Sequence, residues 1–107
     1  MNTICTVIHR RFPEHDDFTF SGVIDAKADL LLSELPGQVS SPLVKCNFQS
    51  VGRINSMGIA LLLRCFKQIR DEHGADIGIV ALTPINAMLF KMTGVFLLAH
   101  PDGEDPA

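Results

Sequence analysis

The chain has 107 residues and a formal net charge of −3, with 47% hydrophobic and 20% charged residues. This length and composition predict one compact domain and exclude a disordered chain. The lack of clustered basic residues argues against a nucleic-acid partner, and no apolar run approaches the roughly 20 residues that cross a bilayer.

The N-terminal segment has no apolar core followed by small residues, so we expect no signal peptide and a cytoplasmic, intracellular location. The three cysteines, Cys5, Cys46 and Cys65, are far apart and lie within apolar patterns. A zinc site needs close pairs, and a disulfide framework needs an even count. The histidines are equally scattered, at positions 9, 15, 73 and 100. We therefore expect buried free thiols and no metal site.

Strand and helix patterns alternate along the chain. Ile4–Ile8 predicts a first strand, and the charged stretch around Pro13 predicts a turn. Phe18–Phe20 predicts a second strand, which can pair with the first as a hairpin at one side of a sheet. Asp25 is predicted to cap a helix over Ala26–Leu35, and a Pro-Gly pair ends it.

The clearest helix pattern spans Met57–His73, with an apolar face at i, i+3, i+4 and i+7. It is preceded by a predicted strand over Leu43–Phe48 and by a predicted loop from Val51 to Ser56. Gly74 after the helix is typical of a C-cap. The apolar run Ile77–Leu82 then predicts a strand that is buried in the sheet.

Thr83 and Pro84 open a third predicted helix, which Thr93-Gly94 closes. Its inner face is predicted to comprise Ile85, Met88, Leu89 and Met92, with the two methionines as core filling. Val95–Ala99 predicts a last strand, and residues 101–107 an acidic, frayed tail.

The alternation of short elements predicts an α/β fold. Short connections favour right-handed crossovers, and therefore a mixed sheet of four or five strands whose central strands are parallel, with helices packed on it. Because no linker or repeat divides the chain, residues 1–107 are expected to form one domain.

The run Ile54–Gly58 places one hydroxyl, that of Ser56, where a strand pattern gives way to a helix pattern. Backbone N–H groups are unpaired at such a point and the helix dipole favours negative charge. A phosphate on Ser56 would occupy an anion site of this kind. Local sequence alone leaves a second interpretation open, in which Asn55 and Ser56 simply cap the helix.

The segment from Gly22 to Leu98 resembles the STAS domain, the fold of bacterial anti-sigma factor antagonists. Several motifs occur in the family's order: Gly22-Val23-Ile24-Asp25, Asn47, Ile54-Asn55-Ser56-Met57-Gly58, Phe66-Lys67-Gln68-Ile69, Ala81-Leu82-Thr83-Pro84 and Leu89-Phe90-Lys91-Met92-Thr93-Gly94. Within these motifs the positions expected to be structural are Gly22, Asp25, Asn47, Thr83 and Gly94. The family's Asp-Ser-Ser-Gly motif matches the last four residues of Ile54–Gly58, with Asn55 in place of the aspartate and Met57 in place of the second serine.

The resemblance implies a phosphorylation-controlled protein-binding switch, with no catalytic activity and no cofactor. The unphosphorylated family member binds a cognate serine kinase, often itself an anti-sigma factor; phosphorylation ends the binding, and a metal-dependent serine phosphatase restores it. Ser56 is the matching acceptor, in a chain expected to be monomeric and to bind neither nucleic acid nor membrane. The expected partner-binding residues are Arg53, Asn55, Ser56, Met57, Gly58 and Leu61.

Some alternatives stay open from the sequence. Arg53 can steady the phosphate, face the partner or be a solvated loop residue, and Met57 with Leu61 can form a contact patch or the rim of the core. The chain can also be a small-ligand-sensing STAS module, or regulate a non-sigma output such as biofilm or surface-polysaccharide production. An enzyme is disfavoured because no Ser/His/Asp or Cys/His constellation and no glycine-rich phosphate loop is recognisable.

Overall fold

The computed structural model describes residues 4–102 and contains one five-stranded sheet with the strand order β1-β2-β3-β4-β5. The strands are β1 (Thr6–Arg11), β2 (Asp16–Ile24), β3 (Leu43–Ile54), β4 (Asp76–Val80) and β5 (His100–Pro101). β1 pairs antiparallel with β2, and all other neighbours are parallel. The predicted α/β fold, with an N-terminal hairpin beside a parallel centre, is confirmed.

Three α-helices connect the strands: α1 (Asp29–Glu34), α2 (Ser56–His73) and α3 (Pro84–Thr93). Short 3-10 turns at Ala26–Ala28 and Leu35–Gln38 extend α1 at both ends, so the helical region is slightly longer than predicted. The predicted bounds of the other two helices agree with the structure to within one residue. Gly74 and Gly94, both with positive φ, end α2 and α3, because glycine adopts the left-handed conformation without steric cost.

The predicted loop from Val51 to Ser56 is wrong, because β3 continues to Ile54. Val51 and Ile54 are buried and pair with Gly22 and Ile24 of β2. The register between β2 and β3 shifts twice in this region, so buried residues of β3 recur every third position after Phe48. Such irregularities break the two-residue alternation by which a strand is recognised in a sequence.

The predicted strand over Val95–Ala99 is also wrong. Residues Val95–Leu97 form a 3-10 turn, in which Leu97 N–H donates to Gly94 O at 3.0 Å. In this part of the chain, the residues that pair with β4 are His100 and Pro101, and Asp102 N–H donates to Ile79 O at 2.8 Å. The predicted acidic tail therefore begins with two residues that contact the sheet, and its remainder, 103–107, lies outside the described residues.

Stacked and edge-on phenyl rings attach α3 to the sheet. Phe20 of β2 stacks on Phe48 of β3 with ring centroids 4.8 Å apart, and Phe90 of α3 meets Phe48 edge-on at 5.3 Å. All three rings are fully buried. Because Phe90 faces the core, the residues on the opposite side of α3 must face outward.

The predicted inner face of α3 is consequently wrong for three of its four residues. Ile85, Met88 and Met92 are 80%, 63% and 75% exposed, and only Leu89 packs partly against the core. The side of α3 that is buried instead carries Asn86 and Phe90, one turn apart. An aromatic ring contributes more buried area than a methionine, and it determines how this short helix is oriented.

All three cysteines are buried and free. Burial raises the pKa of the Cys65 thiol to about 12, and it raises the pKa of Cys46 and Cys5 as well. These thiols therefore stay protonated at neutral pH and pack as small apolar groups.

A buried carboxylate fastens the start of β2 to the segment that precedes β3. Asp16 is fully buried and accepts hydrogen bonds from His9 Nε2 at 2.8 Å, Ser40 N–H at 2.7 Å and Ser41 N–H at 2.8 Å. Burial by itself would raise the pKa of Asp16, but the hydrogen bonds outweigh it and hold that pKa below its ordinary value.

We expect Asp16→Asn to lower the free energy of unfolding at pH 7 by about 1–3 kcal/mol, since an amide cannot accept from all of these donors. Because the folded-state pKa is depressed, the carboxylate's stabilisation is complete above its unfolded-state value, about 3.9, and is lost as the pH falls through the folded-state pKa. Urea denaturation at pH 7 and at several lower pH values measures this. The difference from wild type should shrink in acid. A difference independent of pH would contradict the assignment.

Candidate functional site

The junction between β3 and α2 is built around Asn55. Its backbone N–H donates to Ile24 O at 3.2 Å, and its side-chain Oδ1 accepts from Gly58 N–H at 2.8 Å. Its own carbonyl accepts the first helical hydrogen bond, from Ile59 N–H at 2.9 Å. Asn55 is therefore the N-cap of α2, which settles the capping alternative in favour of Asn55.

Asparagine and aspartate cap helices about equally well. The replacement of the family's aspartate by Asn55 thus preserves the junction's geometry and removes one negative charge beside Ser56.

Ser56 occupies the first position of α2, and its side chain is exposed. Within residues 4–102 its hydroxyl has no hydrogen-bond partner, so the role of cap belongs to its neighbour. The first N–H groups of an α-helix have no intrahelical acceptor, and the aligned peptide dipoles give this end partial positive charge. A negatively charged group on Ser56 would lie at the end of an 18-residue helix.

Gly58 is buried against β2. A β-carbon at this position would overlap the carbonyl oxygen of Ile24 and lie 3.1 Å from Ile54 Cγ2. Leu61, one turn further along α2, is 5% exposed and belongs to the core. These two predicted partner-binding residues are therefore corrected to packing residues, since a partner cannot reach them without opening the junction.

The other four predicted partner-binding residues reach the surface. Arg53, Asn55, Ser56 and Met57 are all exposed, and Met57 retains half of its accessible area. They lie at the end of β3 and in the first turn of α2, and the buried Ile54 separates Arg53 from the other three.

Two neighbouring grooves lie beside these residues. The first, about 500 Å³, runs past Asn55 and Ser56 to Leu89 and Thr93 of α3. The second, about 420 Å³, is apolar and lies between the end of β3 and the exposed side of α3. Arg53, Ile54 and Leu89 line both grooves, so they form one connected concave surface.

The contribution of α3 to this surface was not predicted from the sequence. One signal was available: α3 has apolar residues at 85, 88, 89, 90 and 92, more than one face of a ten-residue helix can bury. Some of them had to face solvent, and the buried Phe90 decides which.

The residues expected to be structural have local roles. Asp25 caps the 3-10 turn before α1 by accepting from Lys27 N–H at 3.0 Å, and Thr83 caps α3 by accepting from Asn86 N–H at 3.3 Å. Gly22 has a positive φ of 86° where β2 shifts register. Asn47 Oδ1 accepts from Gln49 N–H at 2.8 Å, within β3, and contributes nothing to the junction.

Arg53 is the one formally charged residue lining either groove in the part of the chain that the structure describes. Across residues 4–102 no cluster of three or more His, Cys, Asp or Glu side chains is arranged to hold a metal ion. The same residues include no helix with the length and apolarity needed to cross a membrane.

No protein-family model and no curated protein sequence matches the chain. Solved structures do match: an anti-sigma factor antagonist from Mycobacterium paratuberculosis has a TM-score of 0.75 at 17% identity, over 94% of this chain and 87% of that one. The antagonist SpoIIAA in its unphosphorylated form has a TM-score of 0.71 at 14% identity, over 92% of this chain and 90% of that one. The Bacillus cell fate determinant SpoIIAA in the phosphorylated form has a TM-score of 0.63 at 14% identity, over 92% and 93%. The chain thus has the STAS fold of anti-sigma factor antagonists.

We expect Gly58→Ala to lower the free energy of unfolding by about 1–3 kcal/mol, because the added methyl group must displace either α2 or the end of β2. Gly52→Ala is the matched control, since a β-carbon there meets nothing within 4 Å and its effect should stay within about 0.5 kcal/mol. Thermal or urea denaturation of both variants measures the difference. Equal stabilities would show that the close contact with Ile24 does not constrain the junction.

We expect Asn55→Ala to cost about 1 kcal/mol through loss of the cap, and Asn55→Asp to be nearly neutral. For a domain of this size, 1 kcal/mol corresponds to a fall in melting temperature of roughly 4–8 °C. Circular dichroism melts of the two variants test this. A loss as large for the aspartate variant as for the alanine variant would contradict capping through the side-chain oxygen.

Proposed function

We propose that the protein is a phosphorylation-controlled, non-enzymatic protein-binding switch. Its unphosphorylated form binds a cognate serine kinase that acts as an anti-sigma factor or a related regulator; phosphorylation of Ser56 ends the binding, and a metal-dependent serine phosphatase restores it. The observation that carries the proposal is the exposed Ser56 hydroxyl at the first position of α2, which no neighbouring group among residues 4–102 engages. We propose further that the protein acts as a monomer in the cytoplasm.

The local physics favours a charge on Ser56 without a change of fold. A phosphate adds about −1.5 to −2 charges and three acceptor oxygens. The N-terminus of a helix stabilises such a charge by about 0.3–1 kcal/mol at an exposed site. Asn55 and Gly58, which hold the junction together, keep their contacts because neither depends on the Ser56 side chain.

The partner, in contrast, meets a different surface after phosphorylation. Arg53 is the nearby formal charge, with uncharged Asn55 and Met57 on either side of the serine. Phosphorylation changes the local balance from about +1 to roughly −0.5 to −1. A partner surface that matches a neutral hydroxyl must then pack against an anion that has lost its water. Each 1.4 kcal/mol of binding free energy lost in this way lowers the affinity about tenfold.

The structural comparisons support this proposal through the neighbours' own chemistry. Two of the matching structures are one antagonist with and without its phosphate, and each match covers 92% of this chain and at least 90% of the antagonist. The STAS fold therefore accommodates both states in that protein, as the proposal requires here.

We expect Ser56→Asp to weaken binding to the cognate kinase by at least tenfold and Ser56→Ala to retain it, since only the first places a negative charge in the contact surface. Binding is measured by calorimetry with the purified kinase, and phosphorylation of the wild type at Ser56 is followed by mass spectrometry. Ser33→Asp, an exposed serine on α1, is the matched control and should bind like the wild type.

Melting temperatures of all variants separate binding from folding. Equal affinities for wild type, Ser56→Ala and Ser56→Asp would rule the switch out, as would loss of binding that accompanies unfolding.

A further inference from the structure

The exposed side of α3 is an unusual surface for a small domain. Ile85, Met88 and Met92 recur at i, i+3 and i+7, so they form a stripe two turns long beside the apolar groove. Leu89 and Ile54 form the apolar floor of that groove. Contiguous exposed apolar surface with a polar rim marks a site of interaction.

The charged residue that lines the groove is a cation, Arg53. A second cation, Lys91, is exposed on α3 and lies between Met88 and Met92 in sequence. No acidic side chain among residues 4–102 lines either groove, although the chain has a net charge of −3. An occupant that is apolar in the centre and acidic at its flank complements this surface.

The size of the stripe argues against a second copy of this chain as the occupant. From Ile85 to Met92 the helix rises only about 10 Å. A stable dimer needs roughly 800 Å² from each partner, more than two turns of one helix supply. The groove is instead continuous with the one beside Ser56, through Arg53, Ile54 and Leu89, so an occupant can contact both.

We propose that the groove between the end of β3 and α3 receives an amphipathic, acid-flanked helix of the partner. Its apolar face would pack on Met88, Leu89 and Met92, and its carboxylates would pair with Arg53 and Lys91. Methionine side chains adapt to the shape of such a helix, and grooves of this kind bind apolar residues spaced at i, i+3, i+4 and i+7. The identity of the partner, although not the docking mode, rests on the proposed function.

This docking mode gives the phosphate a second route of action. Arg53 lies along both grooves, so a phosphate on Ser56 competes for the same guanidinium that pairs with the helix. It also places negative charge next to the carboxylates of the occupant. Phosphorylation would therefore weaken helix docking as well as contact with the serine itself.

The proposal is tested with model peptides that need no kinase. Three peptides of about 18 residues are used, a length that is partly helical in water. The first carries an apolar i, i+3, i+4, i+7 stripe flanked by Glu, and the second carries the same stripe flanked by Lys. The third has the composition of the first with its apolar residues scrambled. Each is titrated into the ¹⁵N-labelled full chain, and backbone amide shifts report the site and the affinity.

The Glu-flanked peptide should shift residues 52–55 and 85–92 and bind about tenfold more tightly than the other two. Met88→Asp should abolish that binding, whereas Leu30→Asp, at a leucine 69% exposed on α1, should leave it unchanged. Arg53→Ala should reduce the preference for Glu over Lys, and the double variant with Lys91→Ala should remove it. Ser56→Asp should weaken binding of the Glu-flanked peptide.

Equal binding of the Glu- and Lys-flanked peptides, shifts elsewhere on the molecule, or equal effects of Met88→Asp and Leu30→Asp would overturn the proposal. So would self-association of the chain in sedimentation that Met88→Asp removes, because a second copy would then be the occupant. If the peptide binds in the groove but kinase binding is unaffected by Ser56→Asp, the proposed switch is overturned and this inference is not. If kinase binding depends on Ser56 but no peptide binds in the groove, this inference is overturned and the proposed switch is not.

Discussion

The close contact between Gly58 and the Ile24 carbonyl is the constraint on which the rest of the site depends. That carbonyl also accepts the Asn55 N–H, so the end of β2 fixes both the start of α2 and its distance from the sheet. Ser56 and Gly58 are two positions apart on the helix, about 200° around its axis. Because Gly58 must face the sheet, Ser56 must face away from it. Packing and accessibility thus follow from one contact.

Where burial follows a regular period, the sequence predicted the structure well. The α/β fold was predicted from the short connections between elements. The position of Ser56 at the start of a helix was predicted from the apolar stripe of α2 and its capping residues. The end of β3 could not be found in this way, because register shifts opposite Val51 and Ile54 space its buried residues by three. The spacing of apolar residues describes a single strand, whereas a register shift depends on how two strands pair and so leaves no signal in either one alone.

The orientation of α3 was beyond prediction for a related reason. Its apolar residues surround most of the helix, so local pattern permits several buried faces. The choice is made in the sheet by Phe48, which stacks on Phe20 and meets the ring of Phe90 edge-on. Tertiary packing of aromatic rings, far apart in sequence, decides which methionines face solvent. The surface that lies beside Ser56 is therefore a consequence of the core.

The order of the strands in the sheet is their order in the chain, since each strand pairs with its sequence neighbour. A nascent polypeptide can therefore add strands one at a time as it leaves the ribosome, with no need to insert a late segment between two earlier ones. Contacts between consecutive elements are the least demanding in loop-closure entropy. Until residues 100 and 101 have been synthesised, β4 is the open edge of the growing sheet. The two-residue strand β5 is thus the last strand in the described sheet to leave the ribosome, and its pairing covers the edge of β4.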